Sequence, residues 1–491
     1  MPAHKATLGD QLLLTHCQKN AESLGFLTRG TKLLLEDIVS SCKGALSQQA
    51  MALLDEKPQD LDKLWASLLM DAIHALKLRD RREKAWCRGF VDARNDDDLS
   101  TSREQNVYGI TVLKEYFDTF TDYERVLYGA DDKYRDHVVH VVRTWLIGVY
   151  IMTDHKASVE NLVLGWPATN DAQGARIAEK YIISKEERWA MWTIIALCHD
   201  LGYPLEKTHK INDVIEQMLS YFGNIVTSRN NYSFQAQHQS INDATLRILS
   251  SKVVEVEAPN ITVNASGQLE IGKEKSGRYL TKPQAKYYTK FAHSLEEFKH
   301  GIISCLVLMK TLVYFLETDY DEDVPGNLSL EDARQFHIRR EILRAIAAHT
   351  CTDVYHLQIN TLPFMLIVCD ELQEWGRPIL SDMKLGHTGS THSVKVFVEE
   401  CNFKTGEFSA QVEYAGTTLE SMKARLRRKF QDFHKLMRAA LDDENRNIDF
   451  RWKVTLRNET AFEYVYNSHA GPFAELKTWE GKNSWDIYES A

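Results

Sequence analysis

The sequence predicts a mainly α protein that ends in a small α+β module. Three observations predict it. Apolar residues recur at three-to-four spacing in long segments up to about residue 380. A Gly/Ser/Thr-rich stretch, SDMKLGHTGSTHS, then occupies 381–393. Beyond it the apolar period switches to two, as in half-buried strands. The chain has 491 residues, 44% of them hydrophobic, enough for about two or three domains with substantial cores. Its formal charge of -10 argues against a generally basic surface for nucleic acid and leaves room only for a local patch.

Residues 1–130 read as an N-terminal helical region. DKLWASLLMDAIHALKLRDRREKAW carries its apolar residues on one face and its charges on the other. No motif in this region carries chemistry. A core follows over 131–380, in which five segments predict helices: YRDHVVHVVRTWLIGVYIM, KEERWAMWTIIALCHD, SLEEFKHGIISCLVLMKTLVYFLE, FHIRREILRAIAAHT and LPFMLIVCDELQEWG. SLEE reads as a capping-box start and Pro363 as a first-turn proline. An insert over 205–292 holds a further amphipathic segment, INDVIEQMLSYFG. It also holds KVVEVEAPNITVNASGQLEIG, where turn residues between alternating runs suit a small hairpin or a mobile loop. The C-terminal module, 394–491, reads as ββαβ: VKVFVEE and FSAQVEY about the turn NFKTGE, a basic amphipathic helix LESMKARLRRKFQDFHKLMRAAL, and IDFRWKVTL. Its basic run KARLRRKF, 423–430, reads first as a solvated helix face and second as a phosphate-binding patch.

The eight cysteines form no C-x-x-C pair, which speaks against a zinc ribbon or a disulfide framework and suits a reducing compartment. The first residues lack the basic-then-apolar order of a signal peptide, and apolar runs such as VVHVVRTWLIGVYIM are interrupted by charge. The expectation is a cytoplasmic protein with no membrane partner. Homo-oligomers remain open.

Against this background a few ionisable residues sit on apolar helical faces: His137 and His140, the doublet His199-Asp200, then His300, His349 and Asp370. A carboxylate on such a face is costly unless it is paired or bound to a metal. Imidazoles and carboxylates drawn from separate helices offset that cost by converging on cations. A nitrogen and oxygen ligand set without thiolate suits Mn, Fe, Co, Ni, Zn or Mg.

The order His, His-Asp, His, His, Asp resembles the HD superfamily of metal-dependent phosphohydrolases. CHDLGYP at the end of an apolar helix, followed by KHGIIS, AIAAHT and CDELQEWGRP, carries the resemblance over roughly 131–380. It implies an HD-type helical bundle with two divalent ions at its centre. It implies His199, Asp200 and Asp370 as metal ligands, Asp200 bridging, with His300 and His349 as the added ligands of the binuclear subgroups. The opening ligand is His140, which begins H-V-V-R, or His137; His140 is preferred, and the other is then a candidate proton donor. The long insert and the ββαβ tail depart from compact members, so no relative's substrate carries over.

The chemistry implied is hydrolysis of a nucleotide or another small phosphate ester or diester by a metal-activated water. Asp200 would orient that water. Lys207 and Arg377 are the candidate cations for phosphoryl oxygens, Arg377 because it lies seven residues beyond Asp370 if the helix persists to Gly376. Gln373 and Glu374 share the Asp370 face and are candidates to support the ligands. Two alternatives remain: a di-iron oxygenase of the same superfamily, and a nucleotide-sensing module without turnover.

Overall fold

A computed structural model describes residues 6–41, 58–83, 109–130, 137–164, 183–223, 236–263, 266–316, 328–351, 359–376, 394–415, 426–427, 429–431, 433, 448–456, 459–467 and 475–478. The helices are α1 (Asp10–Leu24), α2 (Arg29–Ser41), α3 (Pro58–Glu83), α4 (Ile110–Ala130), α5 (Val138–Met152), α6 (Lys185–Cys198), α7 (Tyr203–Ser220) and α8 (Ala236–Ser250). A two-stranded hairpin follows, β1 (Ser251–Val263) and β2 (Leu269–Pro283). Then come α9 (Ala285–Glu296), α10 (His300–Thr311), α11 (Val313–Leu316), α12 (Leu330–Ala348) and α13 (Leu362–Leu372). The chain is mainly helical, and none of the described helices is long and apolar enough to cross a membrane.

The bundle packs α5, α6, α12 and α13 around one another, with α3 against α6 and α10 against α12. Its interior is apolar in bulk, and many of its buried polar atoms are tied to backbone or to one another. Trp145 Nε1 donates to Thr193 Oγ1 at 2.9 Å, and Trp192 Nε1 donates to the Trp145 carbonyl at 3.2 Å. Gly148 lets α5 and α6 approach this closely, since a Cβ there would lie 2.0 Å from the Trp192 ring. The start of α6 is a capping box of Ser184 and Glu187. Glu187 is also ion-paired to Arg334 of α12. Pro363 opens α13, as expected, with Thr361 capping the Phe364 N–H.

The expected helix at SLEEFKHGIISCLVLMKTLVYFLE is broken twice. Ser294 lies inside α9 rather than at a cap; α10 starts afresh at His300, and Leu312 is extended. The first break puts Phe298 at φ 53, a left-handed conformation that costs about 1–3 kcal/mol for such a residue. What offsets it is the new helix start, where the His300 N–H and its ring Nδ1 both donate to Glu206. An uninterrupted helix would bury that N–H in its own ladder. A second correction concerns α13, which ends at Leu372, before Gly376, with Gln373 at ψ 83. The geometric reason for placing Arg377 beside Asp370 therefore fails, and Arg377 itself lies outside the described residues.

The insert's INDVIEQMLSYFG enters α7, which begins right after the His-Asp doublet and ends at Ser220, before the last three of those residues. The expected small hairpin is the long β1–β2 pair, whose partners run from Ser251↔Pro283 to Val263↔Leu269. Arg340 and Arg344 of α12 hold its base by donating to the Leu249 and Ser251 carbonyls.

The C-terminal sheet has strands β3 (Val394–Asn402), β4 (Glu407–Tyr414), β5 (Asp449–Leu456), β6 (Glu459–Asn467) and β7 (Glu475–Thr478), hydrogen-bonded in that order. β4 and β5 are parallel and the other pairs antiparallel. It is thus larger than the expected ββαβ by two strands. Phe462, Tyr464 and Tyr466 bury at period two along β6, a signal readable in the sequence. Between β4 and β5 the residues Leu426, Arg427, Lys429, Phe430, Gln431 and Phe433 are helical. One face of the sheet packs on α13 through Phe364, whose ring centroid lies 5.6 Å from Phe408 and 6.1 Å from Phe450. The Leu8 N–H donates to Val396 of β3 at 2.8 Å, so a segment preceding α1 also touches this sheet.

An ion pair without solvent exposure joins Asp10 of α1 to Arg143 of α5 by two hydrogen bonds of 2.9 and 2.8 Å. Trp375 Nε1 donates to the same carboxylate at 3.0 Å, and Arg143 donates to the Gly376 carbonyl at 3.3 Å. Removing one partner would strand a buried charge. Arg143→Met should destabilise the fold by about 3–5 kcal/mol, and an Asp10→Leu/Arg143→Met double variant should lose clearly less. Urea unfolding of the three proteins measures this; equal losses would mean that the stranded charge is not what matters.

Candidate metal centre

Five helices deliver their ends to one place. His140 stands in the first turn of α5; His199 caps α6 and Asp200 follows it; His300 opens α10; His349 caps α12; Asp370 lies near the end of α13. Two groups of ligand atoms result, His140/His199/Asp200 and Asp200/His300/His349. Within each, the atoms lie within 4.8 Å of one another, close enough to hold a metal ion. Asp200 belongs to both. Its Oδ2 faces His199 Nε2 at 3.4 Å and His140 Nε2 at 3.8 Å, while Oδ1 faces His300 Nε2 at 3.4 Å and His349 Nε2 at 3.6 Å. Asp370 Oδ1 adds to the first group, 2.8 Å from His140 Nε2.

The hydrogen bonds on the far sides of the rings decide what these atoms can do. His140 Nδ1 donates to Gln373 Oε1 at 2.7 Å, and His300 Nδ1 to Glu206 at 2.7 Å. His199 Nδ1 donates to the Ala196 carbonyl at 2.9 Å, and His349 Nδ1 to the Ile346 carbonyl at 2.5 Å. Every one of these oxygens is an acceptor, so the neutral rings of His199, His300 and His349 carry their proton on Nδ1 and turn an Nε2 lone pair inward. His140 has an acceptor on each side, Gln373 at Nδ1 and Asp370 Oδ1 2.8 Å from Nε2, and offers Nε2 to a cation when its proton sits on Nδ1. Nε2 of His199 and of His349 is buried and has no hydrogen-bond partner among the described residues. Buried unpaired acceptors are rare and costly, and a cation satisfies them. The donor set of imidazole nitrogens and carboxylate oxygens therefore fits divalent metal. The ions' identity and number are not fixed by it.

Electrostatics agree with this arrangement. Burial lowers the His199 pKa to about 4, so its lone pair is free at neutral pH. Burial works against ionisation of Asp200 and Asp370, but the surrounding histidines overcome it and hold both carboxyls well below their ordinary value. His349 behaves oppositely to His199. Burial disfavours its charge, yet contact with Asp200 outweighs this and raises its pKa.

The turn carrying the doublet is fixed by Ser304 of α10, which donates to the His199 carbonyl at 2.6 Å and accepts from the Gly202 N–H at 2.8 Å. Gly202 is required there, since a Cβ would lie 2.3 Å from the His300 carbonyl oxygen. The two opening candidates separate. His140 joins the metal group, and His137, its ring 6.3 Å away, does not. The His137 backbone N–H donates to Glu124 at 2.7 Å, its Nδ1 lies 3.6 Å from that carboxylate, and its ring stacks on Tyr203 at 3.7 Å. Lys207 lies close by, its Nζ 5.2 Å from the Tyr203 ring centroid. Gln373 supports His140 as expected, whereas Glu374 turns to Lys429, 3.3 Å away.

Sequence reasoning missed Glu206 and Glu124. Glu206 stands in the first turn of α7, where an acid reads as an ordinary partner of the helix dipole. Glu124 precedes its partner by thirteen residues and belongs to another helix. No family model, curated protein or solved structure matches the chain.

Two outcomes test the centre. Asp200→Ala should lose its bound metal, and His199→Ala should bind metal much more weakly, with the far-ultraviolet circular dichroism of each unchanged. Full metal content of Asp200→Ala by elemental analysis would dismiss the assignment. Metal affinity should also fall as pH is lowered from about 8 to about 6, because a proton on Nε2 of His349 excludes the cation. His199, with its pKa near 4, stays deprotonated over that range. A flat profile in competition titrations with a metal indicator would take His349 out of the ligand set.

Proposed function

We propose that the chain is a metal-dependent phosphohydrolase of the HD superfamily, acting on a nucleotide or another small phosphate ester or diester. The observation that carries the reading is the setting of three imidazoles, His199, His300 and His349, each anchored through Nδ1 and turning Nε2 to the shared Asp200 carboxylate, with His140 held between Gln373 and Asp370 beside them. The ordered His, His-Asp, His, His, Asp pattern on helix ends supports it. His140, His199, Asp200 and Asp370 would hold one divalent ion, and Asp200, His300 and His349 the other. Such ions supply Lewis-acid charge to a phosphoryl oxygen and lower the pKa of a bound water.

The chain's own groups divide the remaining work. Asp200, ionised at any working pH, draws the two halves of the site together and accepts a hydrogen bond from water placed between them. His137 stands beside the metal groups rather than in them. With Glu124 fixing its backbone and Tyr203 covering its ring face, it is placed to hold a proton for the departing oxygen. Lys207, beyond Tyr203, meets phosphoryl charge as a flexible point donor.

The test is elemental analysis of the purified protein followed by a phosphate-release screen over nucleotides and cyclic nucleotides, with Asp200→Ala as the control. Release that depends on metal and vanishes in the control is expected. Lys207→Met should then raise KM by about tenfold or more at unchanged metal content, since charged hydrogen bonds of this kind contribute roughly 1.5–3 kcal/mol. Dioxygen consumption by an iron-loaded protein without phosphate release would replace the reading with an oxygenase.

A further inference from the structure

The end of α13 is held from outside the bundle. Lys429, from the helical residues of the C-terminal module, donates to the Glu371 backbone carbonyl at 3.0 Å. Its ammonium lies 2.6 Å from the Glu371 carboxylate and 3.3 Å from that of Glu374, and 4.8 Å from the Trp452 ring centroid. The side chain is 8% exposed. A lysine this buried, given two carboxylates, a carbonyl and an aromatic face, is a fixed strut rather than a solvated charge.

The position of that strut gives it meaning. Glu371 directly follows Asp370, and Glu374 directly follows Gln373. Asp370 and Gln373 grip the two nitrogens of His140, at 2.8 and 2.7 Å. α13 ends at Leu372, and beyond it only a tight turn continues, in which the Gln373 N–H donates to the Asp370 carbonyl at 3.2 Å and the Glu374 N–H to the Leu372 carbonyl at 2.9 Å. The Gln373 side chain donates to the Trp375 carbonyl, and Trp375 and Gly376 are tied to Asp10 and Arg143 of the bundle. Glu371 and Glu374 are held by Lys429.

We propose that Lys429 is a positioning residue through which the C-terminal module sets the metal group of His140, His199, Asp200 and Asp370. The inference rests on the metal centre above. It makes the module part of the site's architecture rather than an appended domain. The group of Asp200, His300 and His349 belongs to α6, α10 and α12 and has no such link among the described residues, so the influence falls on one group.

Lys429→Met keeps the length and removes the charge. Co2+ titrations of the full chain, followed by calorimetry and by the visible absorption of the bound ion, read both groups without any turnover. The ion that His140→Ala abolishes should bind about tenfold more weakly to Lys429→Met, in line with the loss of a supporting partner at other metal sites, and its absorption band should shift. The other ion should bind as in wild type. Lys429→Arg should restore binding. Lys156→Ala, which breaks a different contact of the module with the bundle, Lys156 to Glu400 at 2.9 Å, should change neither ion. Glu374→Gln, which leaves Lys429 its other partners, should reproduce a weaker form of the effect even if Lys429→Met fails to fold. Wild-type binding of both ions by Lys429→Met overturns the proposal alone, and so does an equal loss at both groups, which marks general loosening. A wild-type protein that binds no Co2+ overturns the metal centre and the proposal with it.

Discussion

The structure depends on burying one carboxylate, Asp200, at the centre of a helical bundle. In an apolar setting an isolated ionised carboxylate costs far more than a fold's net stability. Here its two oxygens face two pairs of imidazoles, and those imidazoles are aimed by acceptors on their outer sides. Each aiming contact has its own structural consequence. The bond from His300 to Glu206 goes with a broken helix and a left-handed Phe298. The bonds of His199 and His349 to carbonyls three residues back use the free carbonyls at helix ends, which is why both stand at caps. The bond from His140 to Gln373 uses a residue that has left its helix.

Much of this was legible because helix ends and apolar faces leave periodic marks. The order of His140, His199, Asp200, His300, His349 and Asp370 could be read from the chain, since each follows or opens an apolar run. The support around them could not. Glu206 and Glu124 look like surface acids in sequence, and only packing brings them to a histidine. The helix break at 297–299 was hidden because apolar periodicity continues across it; no proline marks it, and Phe298 is not a residue that signals a left-handed turn. The early end of α13 was hidden in the same way, since DELQEWG keeps helical spacing up to a glycine. In the sheet, β6 is legible in the alternation of Phe462, Tyr464 and Tyr466.

The bundle and the C-terminal sheet share more than a linker. An aromatic contact joins α13 to the sheet through Phe364, Phe408 and Phe450, a backbone bond joins Phe403 to Lys156, and Leu8 bridges to Val396. Basic residues of KARLRRKF that read as a solvated face in sequence are in part turned inward. Lys429 lies against α13, and Leu426 and Phe430 are buried. A chain with net charge -10 has little use for a free cation at that place, but it has two glutamates there to neutralise.

The bond from Trp375 to Asp10 spans 365 positions of sequence, and the contact of Leu8 with Val396 spans still more. On a ribosome, α1 emerges long before either partner exists. Through most of translation the Asp10 carboxylate has no tryptophan to accept from, and the stretch that will carry Gln373 has not been made. Local helices can form early, but such distant closures carry the largest loop entropy and come late. Until then His140 lacks both the Asp370 and the Gln373 that flank its ring, so the candidate metal group is complete only after α13 has been made and has packed onto α5.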